Sequence, residues 1–192
     1  MEKNFFETEV ENALEVLRNG GVILYPTDTI WGVGCDATNA DAVRRIYEIK
    51  NREDIKSMII LVADERDVLQ YVASPDLSVF DFIEEQTRPT TIIFEHAVGL
   101  PDNLIAEDGS IAIRIVRDEF CKHIIKRLRK PIVSTSANIS RQPSPKFFAE
   151  VSDEIKKSVD HVVKWRQDDT NPSLPSQIIK WNNDGTRTLI RG

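Results

Sequence analysis

Pro131-Ile132-Val133-Ser134-Thr135-Ser136-Ala137-Asn138 is a short apolar run followed directly by a polar cluster. The apolar residues predict a short buried strand, so we expect the polar cluster where that strand opens into a loop. Open α/β sheets place their ligands at the ends of strands. The hydroxyl and amide side chains of the cluster can donate to and accept from a polar ligand. An ordinary polar turn is the alternative interpretation.

Apolar periodicity on either side of this segment predicts alternating helices and strands. Helical spacing indicates helices near residues 10–17, 43–50, 74–83 and 120–128. Short apolar runs indicate strands at residues 22–25, 58–62, 91–94, 111–116, 131–133, 161–163, 177–180 and 188–190. The predicted helix starts are Thr38 or Asn39, as a cap, and Ser74-Pro75-Asp76. This alternation predicts an α/β fold with a mixed, twisted open sheet and flanking helices.

Length and composition favour one soluble globular domain spanning residues 1–192. The chain is 41% hydrophobic and 29% charged, and no apolar run approaches the length of a membrane-spanning helix. Its first residues lack a signal-peptide pattern. The two cysteines, Cys35 and Cys121, have no metal-ligand spacing, which favours a reducing compartment and therefore the cytoplasm.

The net charge of −6 argues against a protein that grips nucleic acid mainly by neutralising phosphates. Residues 114–130 are nevertheless strongly basic. A solvated helix face is the favoured interpretation of this stretch, and a local RNA-binding surface is the alternative.

A second polar cluster, Tyr25-Pro26-Thr27-Asp28-Thr29, precedes two glycines, Gly32 and Gly34. The glycines could allow the backbone to approach a ligand closely. Residues 32–37 also match a G-x-G-x-x-A dinucleotide pattern, but the preceding strand ends too early and no helix follows at once. Neither a dinucleotide site nor a phosphate-binding P-loop is therefore favoured.

Positive charges stand at two unexpected places. Lys50 is explained by the preference of helix C-termini for basic residues. Arg52 and Lys56 lead into the buried run 58–62, a position that suits a polyphosphate. Arg114 interrupts the apolar run 111–116, and a charge inside a strand needs a partner. No serine-nucleophile motif lies near His96, His123 or His161. The remaining hydroxyl, lysine, arginine and asparagine side chains favour a site that positions a charged substrate over covalent catalysis.

Taken together, these motifs resemble the YrdC/TsaC family over nearly the whole chain. The matching segments are residues 26–34, 50–56, 113–115, 134–138 and the closing Arg191-Gly192. The resemblance implies a YrdC-like α/β fold with a large concave face, in the short form without an extra C-terminal domain. It also implies a threonylcarbamoyl-AMP synthase, a nucleotidyltransferase that condenses L-threonine, bicarbonate and ATP to threonylcarbamoyl-AMP and pyrophosphate. Other proteins then transfer the threonylcarbamoyl group to tRNA, giving the t6A modification.

The resemblance further implies site residues and a cofactor. Arg52 and Lys56 would be catalytic, and the threonine-binding residues would be Thr29, Arg114, Ser134 and Ser176. The ATP-binding residues would be Lys50, Arg52, Lys56, Ser110, Ser136, Asn138, Ser144 and Arg191. Mg²⁺ is expected through the ATP phosphates, with no protein metal site. The implied partners are the t6A transfer proteins and, weakly, tRNA or double-stranded RNA, with no membrane.

Two alternatives remain open. One is a non-catalytic RNA-binding or translation-associated module that uses the basic stretch 114–130. The other is a paralogue that forms a carbamoyl adenylate from carbamoyl phosphate, because the fold that the resemblance implies recurs in that chemistry. Departures from the family pattern, among them Glu53 and Val116, also leave room for a paralogue with the same pocket and another acceptor. For a synthase, the polar loop 164–176 is expected to be a mobile lid that shields the carbamate from water.

Overall fold

The structure is a computed structural model that describes residues 2–51, 58–182 and 184–192. Within these ranges the α-helices are α1 (Glu2–Arg18), α2 (Ala40–Ile49), α3 (Glu65–Val68), α4 (Ser78–Glu85), α5 (Glu119–Leu128) and α6 (Asp153–Ser158). The strands are β1 (Ile23–Tyr25), β2 (Gly32–Gly34), β3 (Ile59–Val62), β4 (Thr90–Phe94), β5 (Ile111–Ile115), β6 (Ile132–Ser136), β7 (His161–Val162), β8 (Gln177–Trp181) and β9 (Arg187–Arg191). A short 3₁₀ turn covers Phe148–Glu150.

The predicted helices and strands all appear, although some boundaries move. Asn39 caps α2 as expected, its side-chain oxygen accepting from the backbone N–H groups of Asp41 and Ala42. The predicted start of α4 at residues 74–76 was wrong, because the helix begins at Ser78. Asp76 instead forms a turn, accepting from the Ser78 backbone N–H and from the Trp181 indole N–H.

Three regular elements were not predicted from sequence. No strand was predicted at β2, since its three residues include two glycines. Helix α3 is a single turn held by a capping box between Asp64 and Asp67. Helix α6 begins at the Ser152 cap, whose hydroxyl accepts from the Ile155 N–H.

In the described part of the chain the nine strands form one mixed sheet. Their order is β7-β1-β2-β6-β3-β5-β4-β8-β9. The pairs β1/β7, β3/β5 and β4/β8 are parallel, and the other neighbouring pairs are antiparallel. The predicted α/β class with a mixed open sheet is therefore confirmed.

The two faces of the sheet are covered differently. Alternate strand residues point to opposite faces. One face packs into a large apolar core that includes α2 and α4, with strand residues Leu24, Val33, Ile60, Ile92, Ile113 and Val133. On the other face, α1 and α5 cover Ile23, Leu61 and Ile132. Farther along the same strands, Ile59 and Ser134 line an open cavity on that face.

Strand β2 requires glycine for packing. A methyl group added at Gly34 would lie 2.1 Å from the Val133 carbonyl oxygen and 2.7 Å from Cε1 of Tyr25. The Tyr25 ring occupies this space and its hydroxyl donates to the Val133 carbonyl at 3.0 Å. Gly34 therefore admits a buried tyrosine rather than a ligand, and both glycines of the dinucleotide pattern lie inside a strand.

Candidate active site

A cavity of about 270 Å³ opens on the face of the sheet that α1 and α5 leave uncovered. The predicted site residues that line it are Thr29, Arg114, Ser134, Ser136, Ser144, Ser176 and Arg191. They come from the turn after β1, from β5, β6 and β9, and from the loops before Phe148 and before β8. The fold thus gathers side chains that are far apart in the sequence at one opening.

The first three residues of the polar cluster, Ser134, Thr135 and Ser136, lie within β6 rather than after it. The expectation that the strand ends at Val133 was wrong, because Ser134 pairs with Ile59 and Ser136 with Gly32. These serines alternate with Thr135 along the strand, so both point to the face that carries the cavity. A strand places its side chains more rigidly than a loop would, which favours a preformed site.

Arg114 brings a buried positive charge to the cavity wall, with an exposed fraction of only 3%. Its Nη2 atom lies 3.1 Å from Oδ1 of Asp28, which is also nearly buried. Within the described residues, however, Arg114 Nε, Arg114 Nη2 and Asp28 Oδ1 make no hydrogen bond. Burying N–H groups of a charged side chain without acceptors is costly. The guanidinium therefore offers N–H donors to an anionic group in the cavity.

Arg191 places a second guanidinium at the same cavity. Its Nη2 and Nε atoms donate to the Ser176 carbonyl at 2.8 and 3.1 Å. Desolvation, and secondly the positive charge of Arg114, lower the pKa of Arg191. Two positive charges that disfavour each other across a cavity are both stabilised when an anion binds between them.

Thr29 has the geometry of a hydrogen-bond acceptor. Thr27 Oγ1 donates to the Ile30 carbonyl at 2.9 Å and accepts from the Thr29 backbone N–H at 3.0 Å. The two threonine hydroxyl oxygens lie 3.0 Å apart. Because the Thr27 proton is already committed to Ile30, Thr29 donates to Thr27. The remaining lone pairs of Thr29 can then accept from a ligand amine or hydroxyl.

Lys50 and Asn138 lie behind the cavity wall and do not line it. Lys50 is buried, and its Nζ donates to the carbonyl oxygens of Ser136 at 2.6 Å and Asn138 at 2.8 Å. The Asn138 side chain accepts from the Ser136 hydroxyl. In this structure both residues hold the end of β6 in place, and their predicted contacts with ATP stay predictions.

Ser110, another predicted ATP-binding residue, does not line the cavity. Ser110 is buried at the start of β5, where its hydroxyl donates to Asp108 Oδ1 at 2.6 Å. The predicted catalytic residues Arg52 and Lys56 lie outside the described residues.

The apolar part of the cavity wall was not predicted from the sequence. Trp31, Met58, Ile59, Pro175 and Ile178 line it beside the hydroxyl groups. Ile59 could have been anticipated, since it alternates with the buried Ile60 along β3 and must face the opposite side. Pro175 and Ile178 carried no such signal, because their approach to the cavity depends on the order of the strands.

The loop 164–176 is anchored at both ends. Trp165 packs against Phe6 with ring centroids 5.1 Å apart, and Arg166 donates to Asp118 Oδ2 at 2.7 Å. At the other end, Ser176 is bound by Arg191 and Thr91. The mobile lid stays a prediction, and we expect its motion between these anchors, at residues 167–175.

Histidines and cysteines stand apart from the cavity lining. His123 lies beside Glu7, and His161 lies 3.4 Å from the buried Glu9. Burial raises the pKa of the Cys35 and Cys121 thiols, so neither is poised as a thiolate nucleophile. In the described ranges, no group of three or more His, Cys, Asp or Glu side chains could hold a metal ion.

Comparison with known proteins identifies close relatives along almost the whole chain. The Sua5/yciO/yrdC family model, described as "Telomere recombination", matches residues 15–192. A Methanocaldococcus jannaschii protein named "Putative threonylcarbamoyl-AMP synthase" is 36% identical, over 97% of this chain and 88% of that protein. The threonylcarbamoyl-AMP synthase of Klebsiella pneumoniae is 33% identical, over 90% of this chain and 93% of that protein.

A solved structure supports the fold. The crystal structure of P. abyssi Sua5 complexed with L-threonine matches with a TM-score of 0.83 at 22% identity, covering 95% of this chain. This chain spans about half of that one, 53% of its length. At this identity the likeness shows a shared fold.

Proposed function

The chain belongs to the Sua5/yciO/yrdC family, and we propose that it is a threonylcarbamoyl-AMP synthase. In this proposal it condenses L-threonine, bicarbonate and ATP to threonylcarbamoyl-AMP and pyrophosphate, as a nucleotidyltransferase. The names of its relatives from Methanocaldococcus jannaschii and Klebsiella pneumoniae support the activity. The P. abyssi Sua5 complex supports L-threonine as a ligand of the fold.

The observation that carries the proposal is the buried guanidinium of Arg114 with uncommitted N–H groups. A guanidinium presents paired donors that match a carboxylate. L-threonine carries one carboxylate, together with an amine and a hydroxyl. The carboxylate would accept from the Arg114 N–H groups that make no hydrogen bond within the described residues.

The hydroxyl residues around Arg114 complete a threonine site. Thr29 is an acceptor, which suits the amine of the substrate. Ser134 and Ser176 line the same cavity and are almost fully buried, so ligand hydrogen bonds there would be shielded from water. Positioning the amine next to bicarbonate would favour the carbamate, whose formation releases water.

The remaining polar wall would bind ATP. Ser136, Ser144 and Arg191 line the cavity, with Arg191 supplying positive charge for phosphate. A carbamate oxygen would attack the α-phosphorus, and pyrophosphate would leave. Mg²⁺ is proposed to be held mainly by the ATP phosphates. Arg52 and Lys56 are still proposed as the catalytic cations, on sequence grounds alone.

The structure weakens the RNA-binding alternative, because several cations of the stretch 114–130 have partners within the protein. Arg127 bridges to Glu7 and Glu11 of α1 at 2.8 and 2.9 Å. Lys130 pairs with the buried Asp36 at 2.6 Å. Charges engaged in this way are less available for phosphates. Contacts with tRNA and with the t6A transfer proteins are proposed only as consequences of the synthase activity.

Mass spectrometry of a reaction containing ATP, L-threonine, bicarbonate and Mg²⁺ tests this function. We expect threonylcarbamoyl-AMP and an equal amount of pyrophosphate, and loss of both in Arg114→Ala. Arg117→Ala is a suitable control, because Arg117 donates to backbone carbonyls of Ile83 and Gln86 and does not line the cavity. Absence of the adenylate with folded wild-type protein would refute the proposal.

A further inference from the structure

Two buried hydroxyls meet directly behind the cavity wall. Thr91 of β4 is fully buried, and its Oγ1 lies 2.8 Å from Oγ of Ser176. Ser176 lines the cavity, whereas Thr91 does not. Thr91 can therefore influence a ligand only through another residue, and Ser176 is the residue that it contacts.

The hydrogen bonds define which hydroxyl donates. Among the described residues, Ser176 Oγ is the one hydrogen-bond partner that the structure gives to Thr91 Oγ1. If Ser176 donated to Thr91, the Thr91 proton would be buried without an acceptor, which is unfavourable. Thr91 is therefore the donor and Ser176 the acceptor.

A second donor also reaches the Ser176 oxygen. Nη2 of Arg191 lies 3.4 Å from Ser176 Oγ, while it makes its shorter bond to the Ser176 carbonyl. A hydroxyl oxygen has two acceptor lone pairs and one proton. With Thr91 and Arg191 both donating to that oxygen, the Ser176 proton must point to another acceptor, and the cavity is where a ligand can supply one.

We infer that Thr91 is a positioning residue that makes Ser176 a fixed hydrogen-bond donor to an anionic oxygen of the substrate. The inference rests on the proposed function and extends it, since it assigns Ser176 to the carboxylate of L-threonine rather than to its amine. In the sheet register Ile92 pairs with Ile113, so Thr91 lies beside Arg114 on the neighbouring strand. Arg114 and Ser176 then donate to the same carboxylate, while Thr29 accepts from the amine.

The chain provides a matched control in the adjacent residue. Thr90 is also buried, but its side chain points to the opposite face of β4. Its hydroxyl donates to the Arg88 carbonyl at 2.9 Å and accepts from Gln177 Nε2 at 2.7 Å. Thr90→Val removes the same hydroxyl from the same strand without touching Ser176.

The test compares Thr91→Val, Thr91→Ala, Thr91→Ser and Thr90→Val with the wild type. L-threonine binding is measured by calorimetry, and kcat and KM are measured for L-threonine and for ATP. Thr91→Val should raise Kd and KM for L-threonine about tenfold, the effect of weakening one hydrogen bond to a charged group. The KM for ATP should change much less. Thr91→Ser should restore threonine binding, and Thr90→Val should leave it unchanged.

A Ser176→Ala background separates positioning from general stability. There, Thr91→Val should have no further effect on L-threonine binding, because the hydroxyl that it positions is gone. Equal effects of Thr91→Val with and without Ser176 would overturn the inference, as would equal losses in Thr90→Val and Thr91→Val. If Thr91→Val does not fold, Thr91→Ala provides the same comparison. Wild-type protein that does not bind L-threonine would refute the proposed function, and this inference with it.

Discussion

At the scale of single residues, the site depends on charges and hydroxyls that the protein itself does not fully satisfy. Arg114 lies within an otherwise apolar strand, and Asp28 Oδ1 lies 3.1 Å from its Nη2 atom without a hydrogen bond between the two side chains. Such an arrangement is unfavourable in the empty site and favourable once a carboxylate binds. Residues that lower stability in this way are expected at ligand sites, because the ligand supplies the missing partner.

Arg114→Lys tests whether the geometry of the guanidinium matters as well as its charge. A lysine keeps the positive charge but cannot present the planar pair of N–H donors. We expect KM for L-threonine to rise about 10–100-fold, corresponding to loss of one charged hydrogen bond. Steady-state kinetics check this, with Arg117→Lys as the control. A KM within a factor of about two of the wild type would show that charge alone suffices.

Selectivity for threonine over serine tests the apolar wall. The two amino acids share carboxylate, amine and hydroxyl, so only the methyl group distinguishes them. Trp31, Met58, Ile59 and Ile178 provide apolar surface in the cavity for that methyl. One methyl group is worth roughly 10–200-fold in kcat/KM. Equal kcat/KM values for the two substrates would contradict a fitted methyl niche and favour a more permissive paralogue.

At the scale of elements, the short strand β2 lies between β1, whose following turn carries Thr29, and β6, which carries Ser134 and Ser136. It pairs with β1 on one side and with β6 on the other. Its glycines leave room for Tyr25 beneath the strand and for Ser134 beside it. This three-residue strand is fixed in the sheet because it pairs with a strand on each side. Its packing leaves no room for a side chain at Gly34.

Gly34→Ala should destabilise the protein, because the new methyl group meets the Val133 carbonyl and the Tyr25 ring. Overpacking of this kind costs about 1–3 kcal/mol, and a backbone clash places the variant at the upper end. Thermal and urea unfolding measure the loss. Gly32→Ala is the comparison, since its methyl would meet the Ser134 hydroxyl at 3.1 Å. It should lose less stability, and the prediction fails if the two variants are equally stable.

The segment 167–175 is the element in which we expect ligand-dependent protection. Between its anchors, its side-chain hydrogen bonds are mainly local, such as those from Asn171 to Asp169. Segments with few buried contacts open at low free-energy cost. Amide hydrogen exchange should therefore be fast without ligand and slower with ATP and L-threonine, whereas Trp165 and Arg166 should be protected in both states. Equal exchange of residues 167–175 in both states would mean that they do not form a lid.

At the scale of the whole molecule, most of the elements could be predicted from sequence, whereas their arrangement could not. Apolar runs indicated eight of the strands because buried strands are distinctively apolar. Strand β2 escaped notice, since glycines give no apolar signal. Lys50 was assigned to ATP through the family resemblance, which stays a prediction, and the structure additionally shows its Nζ donating to two carbonyl groups beside β6. Such roles depend on the order of strands, which local patterns do not encode.

Ion pairs also connect parts of the molecule that are far apart in the sequence. Arg127 connects α5 to α1, and Arg45 pairs with Asp160 across more than half of the chain. The hydrogen bond from Arg45 is the main cause of the lowered pKa of Asp160.

No described helix is long and apolar enough to cross a membrane. A single domain over residues 1–192 stays a prediction, which limited proteolysis can address.

Isotope tracing of the adenylate product is the decisive test of the proposed synthase activity. The protein is supplied with ATP, unlabelled L-threonine, Mg²⁺ and carbon-13 bicarbonate, and the product is analysed by mass spectrometry. We expect threonylcarbamoyl-AMP that carries the label in its carbamoyl group, formed together with pyrophosphate. A labelled product that forms only with threonine would show that the carbamate derives from bicarbonate. Adenylate that forms only when carbamoyl phosphate is supplied, or no adenylate at all, would refute the proposed synthase activity.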